Sequence, residues 1–243
     1  MFVSNNYSSH FSSKYTRWYS DERKNLFTAL VKFNNEEGLK NDNIIPKIPN
    51  KLFISITKKI LIQNTFFYLN NGDKKCLYHN APVNWIRSHS FIPYFKSERD
   101  GIGITTQLKV IPFDNNLDVK IASSILNSSL FFIWWIVNSD CYHLNKSEIM
   151  NFKYSHQNDD DIRLEKLSDI LSKDMISNSV RRVYFYKTSG RVEYDEFYMK
   201  CSKNILDEID KVLARHYGFT DEELDFIINY DIKYRMGDEL NDE

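Results

Sequence analysis

The side chains of this 243-residue chain that are suited to chemistry are concentrated between positions 68 and 109. Aromatic residues are interleaved there with cations, amides and hydroxyls. Arg, Lys and Gln can contact base edges, Thr and Lys can bind phosphates, and aromatic rings can stack on bases. Any one of these residues alone could equally be ordinary surface or core, so the prediction depends on the group. We predict a DNA-binding surface formed by Tyr68, Lys74, Lys75, Trp85, Arg87, Lys96, Arg99, Thr105, Thr106, Gln107 and Lys109.

The charge of the chain is unevenly distributed along its length. Residues 1–157 contain 19 Lys/Arg and 12 Asp/Glu, a net charge of +7. Residues 158–243 contain 13 and 21, a net charge of −8, and the two parts sum to the −1 of the whole chain. We therefore predict a basic DNA-binding region over 1–157 and an acidic, mainly helical scaffold or docking region over 158–243. The alternative is a solvated surface with no binding role.

Cysteines offer little for a metal site. Cys76, Cys141 and Cys201 are far apart, and an odd, dispersed set is typical of a reducing cytosol, so we expect a cytoplasmic protein. Structural zinc sites usually contain ligand pairs separated by two to four other residues, whereas Cys141 and His143 are separated by one. Only Cys76 with His79 has the spacing of a zinc site. We predict ordinary half-buried Cys and His residues and no metal site.

Catalytic motifs are missing from the sequence. The chain contains 7 glycines, and the only Gly-rich segment, GIG at 101–103, precedes another predicted strand rather than a helix. Cofactor-binding folds require a Gly-rich turn between a strand and a helix. The sequence has no P-loop and no Gly-x-Ser-x-Gly motif, and we interpret the acidic run DDDIRLEK as a solvated surface. We predict no catalytic residues and no cofactor in this chain.

The first half of the chain is predicted to contain helices, strands and hairpins. Helical spacing of apolar residues predicts a helix over 14–33, with Ser20 as N-cap. Asn71-Gly72 between β-prone segments predicts a hairpin over 65–80. Residues 85–95 are predicted as loop with a short strand, and 103–113 as a strand. The start, MFVSNNYSSHF, lacks the features of a signal peptide.

The second half is predicted to be mainly helical. A helix is predicted over 117–138; its apolar run LFFIWWIV is far shorter than the roughly 20 residues of a membrane span, so we expect it to be buried. The polar segment 155–161 is the predicted internal boundary. Beyond it we predict a helix over 162–175, a hairpin over 180–197 and a helix over 202–218. Together these elements predict an α+β fold: a mixed sheet and hairpins with packed helices, and a helical C-terminal part.

The sequence YGFTDEEL near the end predicts a sharp elbow between two helices. Gly218 suits the end of the first helix, and Thr220 with Glu223 fits a capping box. Phe219 and Leu224 fit a hydrophobic staple. Because the second helix begins with acidic residues that repel phosphate, we predict that this elbow is a scaffold rather than a DNA reader.

Several stretches carry a resemblance to a known family. They are RWYSDERKNLF (17–27), WIRSHSFIPYF (85–95), GITTQLKVI (103–111), ILNSSLFFIWW (125–135), SDCYHLN (139–145) and the long final segment 190–237. These stretches resemble the C-terminal half of bacterial adenine-N6 DNA methyltransferases of restriction–modification systems, including type IIG fusion enzymes and the long methylases of type IIS systems. In that family the N-terminal half binds S-adenosylmethionine and carries an Asn-Pro-Pro-Tyr or Asn-Pro-Pro-Phe loop, and the C-terminal half recognises the DNA target.

The chain departs from the whole enzyme of that family. Its five prolines include no Pro-Pro pair, and the cofactor glycines are missing. The resemblance therefore implies the target-recognition half alone, as a separate specificity subunit or as part of a longer enzyme. It implies double-stranded DNA and a methyltransferase catalytic half as partners, with S-adenosylmethionine bound by that half. The alternatives are a structural or protein-interaction subunit of a bacterial defence system, and an endonuclease with an unrecognised site.

Overall fold

The computed structural model of the chain describes residues 10–16, 22–25, 27–28, 30–35, 46–68 and 70–237. The helices are α1 (Lys51–Leu61), α2 (Asn116–Asn127), α3 (Ser129–Asn138), α4 (Lys146–Met150), α5 (Asn158–Ser177), α6 (Lys203–Tyr217), α7 (Asp221–Ile228) and α8 (Ile232–Met236). The strands are β1 (His10–Ser13), β2 (Lys32–Asn35), β3 (Lys74–His79), β4 (Ser88–His89), β5 (Phe95–Ser97), β6 (Gly101–Ile102), β7 (Leu108–Phe113), β8 (Val180–Tyr186) and β9 (Gly190–Glu196).

The strands of the described residues form antiparallel sheets, and the predicted α+β class is confirmed. One sheet pairs β1 with β2, a second has the order β4–β3–β7, and a third has the order β6–β5–β9–β8. The third sheet joins the two charge regions, because β5 belongs to residues 1–157 and β9 to residues 158–243. In addition, α5 packs on α2. The assignment of binding to one region and scaffolding to the other stays a prediction.

Helices α2 and α3 lie at the centre of the core. The sequence predicted one helix over 117–138, but the two helices meet at an angle of 67°. Between them, Ser128 has an extended backbone, and its hydroxyl accepts the N–H of Phe131 at 3.0 Å, which caps α3. Every side chain of α3 is buried, as expected for the run LFFIWWIV. Among the described helices, none alone combines the length and apolarity of a bilayer span; only the bent pair α2–α3, counted together, meets that criterion.

The first turn of α3 is anchored by hydrogen bonds with two C-terminal helices, α6 and α8. The carboxylate of Asp210 on α6 accepts the backbone N–H groups of Ser129 and Leu130, each at 3.1 Å. Burial raises the pKa of Asp210 to about 6, and these hydrogen bonds oppose the increase. Arg235 on α8 donates to the hydroxyl of Ser129 at 3.1 Å. The C-terminal helices are therefore part of the core and do not form an appendage.

The predicted helical elbow is confirmed. Gly218 ends α6 in the left-handed conformation, with φ of 64°. The hydroxyl of Thr220 accepts the N–H of Glu223 at 3.2 Å, and the carboxylate of Glu223 accepts the N–H of Thr220 at 2.7 Å, so the capping box is complete. The staple between Phe219 and Leu224 stays a prediction. The predicted helix over 162–175 and the hairpin over 180–197 are also confirmed, as α5 and β8–β9.

The hairpin predicted over 65–80 is wrong. Strand β3 pairs with β7 and β4, and none of the described residues before Gly72 pairs with it. A Cβ atom at Gly72 would lie 2.0 Å from the carbonyl oxygen of Phe113. The glycine therefore allows close approach to the end of β7, and it does not serve a tight turn. The strand predicted over 103–113 is confined to β7, and residues 106–107 form a turn.

The helix predicted over 14–33 is also wrong where the structure describes it. Glu22–Asn25 form a single 3₁₀ turn, and β2 pairs with β1. Phe27 and Val31, two apolar residues of the predicted helix, are largely exposed, so neither packs against the core. The predicted N-cap, Ser20, lies outside the described residues.

Candidate functional site

A cleft of about 640 Å³ lies between the three-stranded and four-stranded sheets. One wall contains the ends of β3 and β7 and the segment leading into β4. The other wall contains β5, β9 and the turn of the β8–β9 hairpin. Clefts of this size are typical of sites for small ligands. We take this cleft as the candidate functional site.

Arg87 is the half-buried cation of the cleft. The carboxylate of Glu196 lies near enough to raise the pKa of Arg87, while burial, the larger effect, lowers it. Glu196 is already engaged, because it accepts hydrogen bonds from Arg182 at 2.7 Å and from the hydroxyl of Tyr198. The guanidinium of Arg87 donates no hydrogen bond to a described residue. It is therefore free to bind a ligand that enters the cleft.

His89 is a buried neutral base at the cleft. Its side chain is 3% exposed and lies against the rings of Phe91 and Phe197, with centroids 5.1 and 4.9 Å away. Burial lowers the pKa of His89 to about 3, and the charge of Arg87 adds to this effect. Its Nδ1 atom is buried without a hydrogen-bond partner in the described residues.

Two further polar residues form a fixed pair at the rim. Nδ1 of His79 lies 3.2 Å from the backbone N–H of Ala81 and accepts it, so Nε2 carries the proton and donates to Oε1 of Gln107 at 3.0 Å. Burial lowers the pKa of His79, which favours this neutral form. The amide N–H groups of Gln107 make no hydrogen bond to a described residue.

Tyrosines form much of the opposite wall. Tyr94, Tyr186 and Tyr194 line the cleft. Alternate residues of a strand share one face, and cross-strand partners lie on the same face. This places Tyr184 on the same face, where its ring stacks on that of Tyr194 with centroids 6.0 Å apart and an angle of 13°. The outer side of Tyr94 is covered by the guanidinium of Arg181, 3.7 Å from the ring centroid.

Five of the eleven predicted DNA-binding residues are brought together at or beside the cleft. Arg87, Thr105 and Gln107 line it. Thr106 is exposed between the latter two, and the ammonium of Lys109 donates to its carbonyl at 3.2 Å. Thr105, Thr106 and Gln107 are consecutive and form a polar rim, and Arg87 lies inside the cleft. Lys109 is beside this rim but lines a separate depression on the other face of β7 from Leu108.

Three predicted residues lie away from the cleft, before and at the start of β3. In the pairing with β7, Lys74 and Lys75 lie at the opposite end of β3 from His79. The rise of an antiparallel strand puts Lys74 roughly 17 Å from His79. Tyr68 precedes this strand and is exposed. These residues do not contribute to the same local site.

The remaining three predicted residues also differ in their surroundings. Lys96 is exposed on the outward face of β5, and Arg99 forms a surface salt bridge with Asp100 at 2.8 Å. Trp85 is 9% exposed, its indole N–H donates to the carbonyl of Arg235 at 2.9 Å, and the guanidinium of Arg235 covers its ring at 3.9 Å. Trp85 therefore has no free ring face for a base.

The tyrosine wall and His89 were missed by sequence reasoning. Residues 180–191 contain four Lys/Arg, no Asp/Glu, and aromatic residues at 184, 185 and 186. This local basic and aromatic segment was hidden when charge was averaged over the acidic region 158–243. Averaging the net charge over a shorter window would have revealed this segment.

The zinc alternative receives no support from the geometry. Cys76 and His79 are three apart on β3, so their side chains lie on opposite faces of the sheet. Cys76 is buried, burial raises its pKa to about 12, and its thiol contacts the hydroxyl of Ser88 at 3.2 Å. In the part of the chain that the structure describes, no three His, Cys, Asp or Glu residues are arranged to hold a metal ion.

Comparison of the chain with protein-family models, with curated proteins and with solved structures finds no match.

Proposed function

We propose that this chain is the DNA target-recognition module of an adenine-specific DNA methyltransferase of a restriction–modification system, without the half that binds S-adenosylmethionine. DNA binding is supported by one observation: Arg87, Thr105 and Gln107 line one wall of a cleft whose other wall is rich in tyrosine. The link to adenine methylation, to bacterial defence and to the cytoplasm rests on the family resemblance and the cysteine pattern.

In this proposal the rim contacts duplex DNA and the helical elbow supports it. Thr105, Thr106 and Lys109 bind phosphates, and Gln107 contacts a base edge. Because Oε1 of Gln107 already accepts from His79, only its amide donors are free. These donors match the acceptors of guanine or thymine, whereas a bidentate contact with adenine requires the bond to His79 to break.

The catalytic partner would carry out methyl transfer, and this chain would contribute binding energy. Extruding a base from the duplex costs a few kcal/mol, which contacts to phosphates and base edges offset. The elbow of α6 and α7 would dock the catalytic half. The chain alone should therefore transfer no methyl group from labelled S-adenosylmethionine to DNA; turnover above a contaminant control would contradict this.

The proposal is tested first by the salt dependence of duplex binding, measured by fluorescence anisotropy. If about 4–6 phosphates are contacted, log K should fall with log salt with a slope of roughly −4 to −5. Affinity that does not depend on salt, or no binding at low salt, would overturn the proposal.

A second test separates base reading from phosphate binding. Selection on random duplexes should show relaxed sequence preference for Gln107→Ala and Arg87→Ala, since a good base contact discriminates by roughly 1–3 kcal/mol. Lys74→Ala is the control, because Lys74 lies at the far end of β3 from the cleft. It should weaken binding about equally on all sequences or leave it unchanged. Uniform weakening by all three variants would show that the cleft does not read bases.

A protein-interaction subunit is the second candidate function. The outward face of the four-stranded sheet exposes Ile102, Val183 and Phe185, the last at 78%. This candidate predicts no salt-dependent DNA binding. It also predicts that Phe185→Ala loses association with a catalytic subunit while keeping its stability.

A further inference from the structure

Arg87 lies inside a cleft, and this position limits what it can bind. Side chains that read duplex DNA protrude into a groove, because stacked bases expose only their edges. Arg87 is half-buried between the two sheets. A group that meets its guanidinium must therefore enter the cleft.

The walls of the cleft suit a planar ring. Tyr186, at 52% exposure, and Tyr194 line one side, and Tyr194 is already stacked on Tyr184. Stacked tyrosines with exposed faces are a common platform for unpaired bases, since every base has a π-face.

Two polar groups in the cleft lack protein partners. Both acidic side chains of β9 that line the cleft are engaged elsewhere: Asp195 pairs with Arg181, and Glu196 pairs with Arg182. The guanidinium of Arg87 has no hydrogen bond to a described residue, and neither has Nδ1 of His89. Polar groups that are buried without partners are costly, so a ligand that hydrogen-bonds inside the cleft gains affinity.

We propose that the cleft binds a single unpaired nucleobase of a DNA strand, stacked on Tyr186 and hydrogen-bonded by Arg87. Because guanidinium only donates, the edge it binds must carry acceptors. An unpaired base also exposes its pairing edge, so guanine (N7 and O6) and cytosine (N3 and O2) offer two adjacent acceptors, whereas the acceptors of thymine and adenine are not adjacent. The inference rests on the proposed function, since it specifies what the proposed DNA-binding module recognises.

The test compares DNA duplexes that differ by one bulged nucleotide. Anisotropy is measured on a single strand, on a matched duplex and on duplexes with one bulged T, G, C or A. We expect about tenfold tighter binding of the G and C bulges than of the matched duplex, and a smaller gain for T and A. Permanganate should oxidise the bulged thymine more slowly when protein is bound, because the stacked ring is protected.

Variants assign the effect to the cleft. Arg87→Met and Tyr186→Ala should lose the tenfold preference for the bulged duplex and the thymine protection. Phe185→Ala is the matched control: it neighbours Tyr186 on the hairpin, is 78% exposed and lies on the opposite face of the sheet. It should keep both effects. Circular dichroism and thermal melting confirm that each variant is folded.

The outcomes separate the two proposals. Matched-duplex binding without any bulge preference, or a preference kept by both cleft variants, overturns this inference and leaves the proposed function standing. Binding of single-stranded but not duplex DNA, lost in Arg87→Met, supports the inference and overturns the proposed function. No binding to any of these DNAs overturns both.

Discussion

Two arginines near Trp85 differ in what surrounds them. Arg235 lies between Trp85 and Phe132, 3.9 and 4.7 Å from the ring centroids, and donates to the hydroxyl of Ser129. Arg87, two residues after Trp85, lies in the cleft and donates no hydrogen bond to a described residue. The guanidinium of Arg235 is a fixed part of the fold, and that of Arg87 remains free for a ligand.

The same contrast holds for two buried titratable groups. Burial shifts the pKa of both Asp210 and His89 toward the neutral form. Asp210 accepts two backbone N–H groups of α3, whereas Nδ1 of His89 has no partner among the described residues. Core and cleft contain the same residue types, so composition does not distinguish them. For these residues the difference is that the core groups make side-chain hydrogen bonds within the chain and the cleft groups make none, although Nε of Arg235 is also buried without a partner among the described residues.

The largest expected effect is on the core arginine. Arg235→Ala should lower the free energy of unfolding by about 3–5 kcal/mol, because it empties a buried site and removes the cation that faces Asp210. The control is Lys233→Ala on the same helix, which is exposed and should change stability by about 0.5 kcal/mol or less. Urea unfolding measures both. Equal, small changes would show that α8 does not anchor the core.

The contribution of Asp210 to the free energy of unfolding should decrease as pH rises. Its pKa is about 6 in the folded protein, above the ordinary value of 3.8, so the folded state holds the proton more tightly. Its stabilising contribution is therefore full at low pH and declines as pH rises to about 6. Between pH 4 and pH 6 the unfolding free energy of the native chain should fall by about 2 kcal/mol relative to Asp210→Asn. Parallel pH curves for the two proteins would contradict this assignment.

His89 should have the opposite pH dependence. Its pKa is about 3 in the folded protein and 6.5 when unperturbed, so the unfolded state binds the proton first. Stability from the neutral imidazole is full above pH 6.5 and is lost as pH falls. From pH 6.5 to 4.5 the loss should be about 2–3 kcal/mol in the native chain and absent in His89→Gln, measured by urea unfolding. If the variant shows the same acid sensitivity, the imidazole is protonated in the cleft.

Elements with local signals were predictable from sequence. Thr220 and Glu223 form the expected capping box because the pattern depends on four consecutive residues. The β8–β9 hairpin followed from Ser189-Gly190 for the same reason. The sequence reasoning did not predict α1, although Asn50 accepts the N–H of Phe53 as an N-cap at the start of an amphipathic segment.

Elements that depend on distant partners were not predictable. The apolar spacing of 117–138 fits one helix, and the break at Ser128 is stabilised by Asp210, 82 positions away in sequence. Asn71-Gly72 signals a turn, but its glycine is required by contact with Phe113. For the site, residue type indicated Arg87 and Gln107, yet also Trp85, because only packing reveals that its ring is already covered.

The smallest expected effect on stability is at Arg87, and it sharpens the contrast with Arg235. Arg87→Met keeps the length of the side chain but removes a half-buried charge that has no hydrogen bond to a described residue. We expect the free energy of unfolding to change by about 0.5 kcal/mol or less, or to rise slightly, because desolvation of the guanidinium is no longer required.

Urea unfolding and DNA binding are measured on the same preparations of Arg87→Met and Arg235→Met. Arg87→Met should keep its stability and lose preference for a bulged duplex, and Arg235→Met should lose stability first. If Arg87→Met unfolds as readily as Arg235→Met, Arg87 is a structural residue, and the proposed difference between the core arginine and the cleft arginine is wrong.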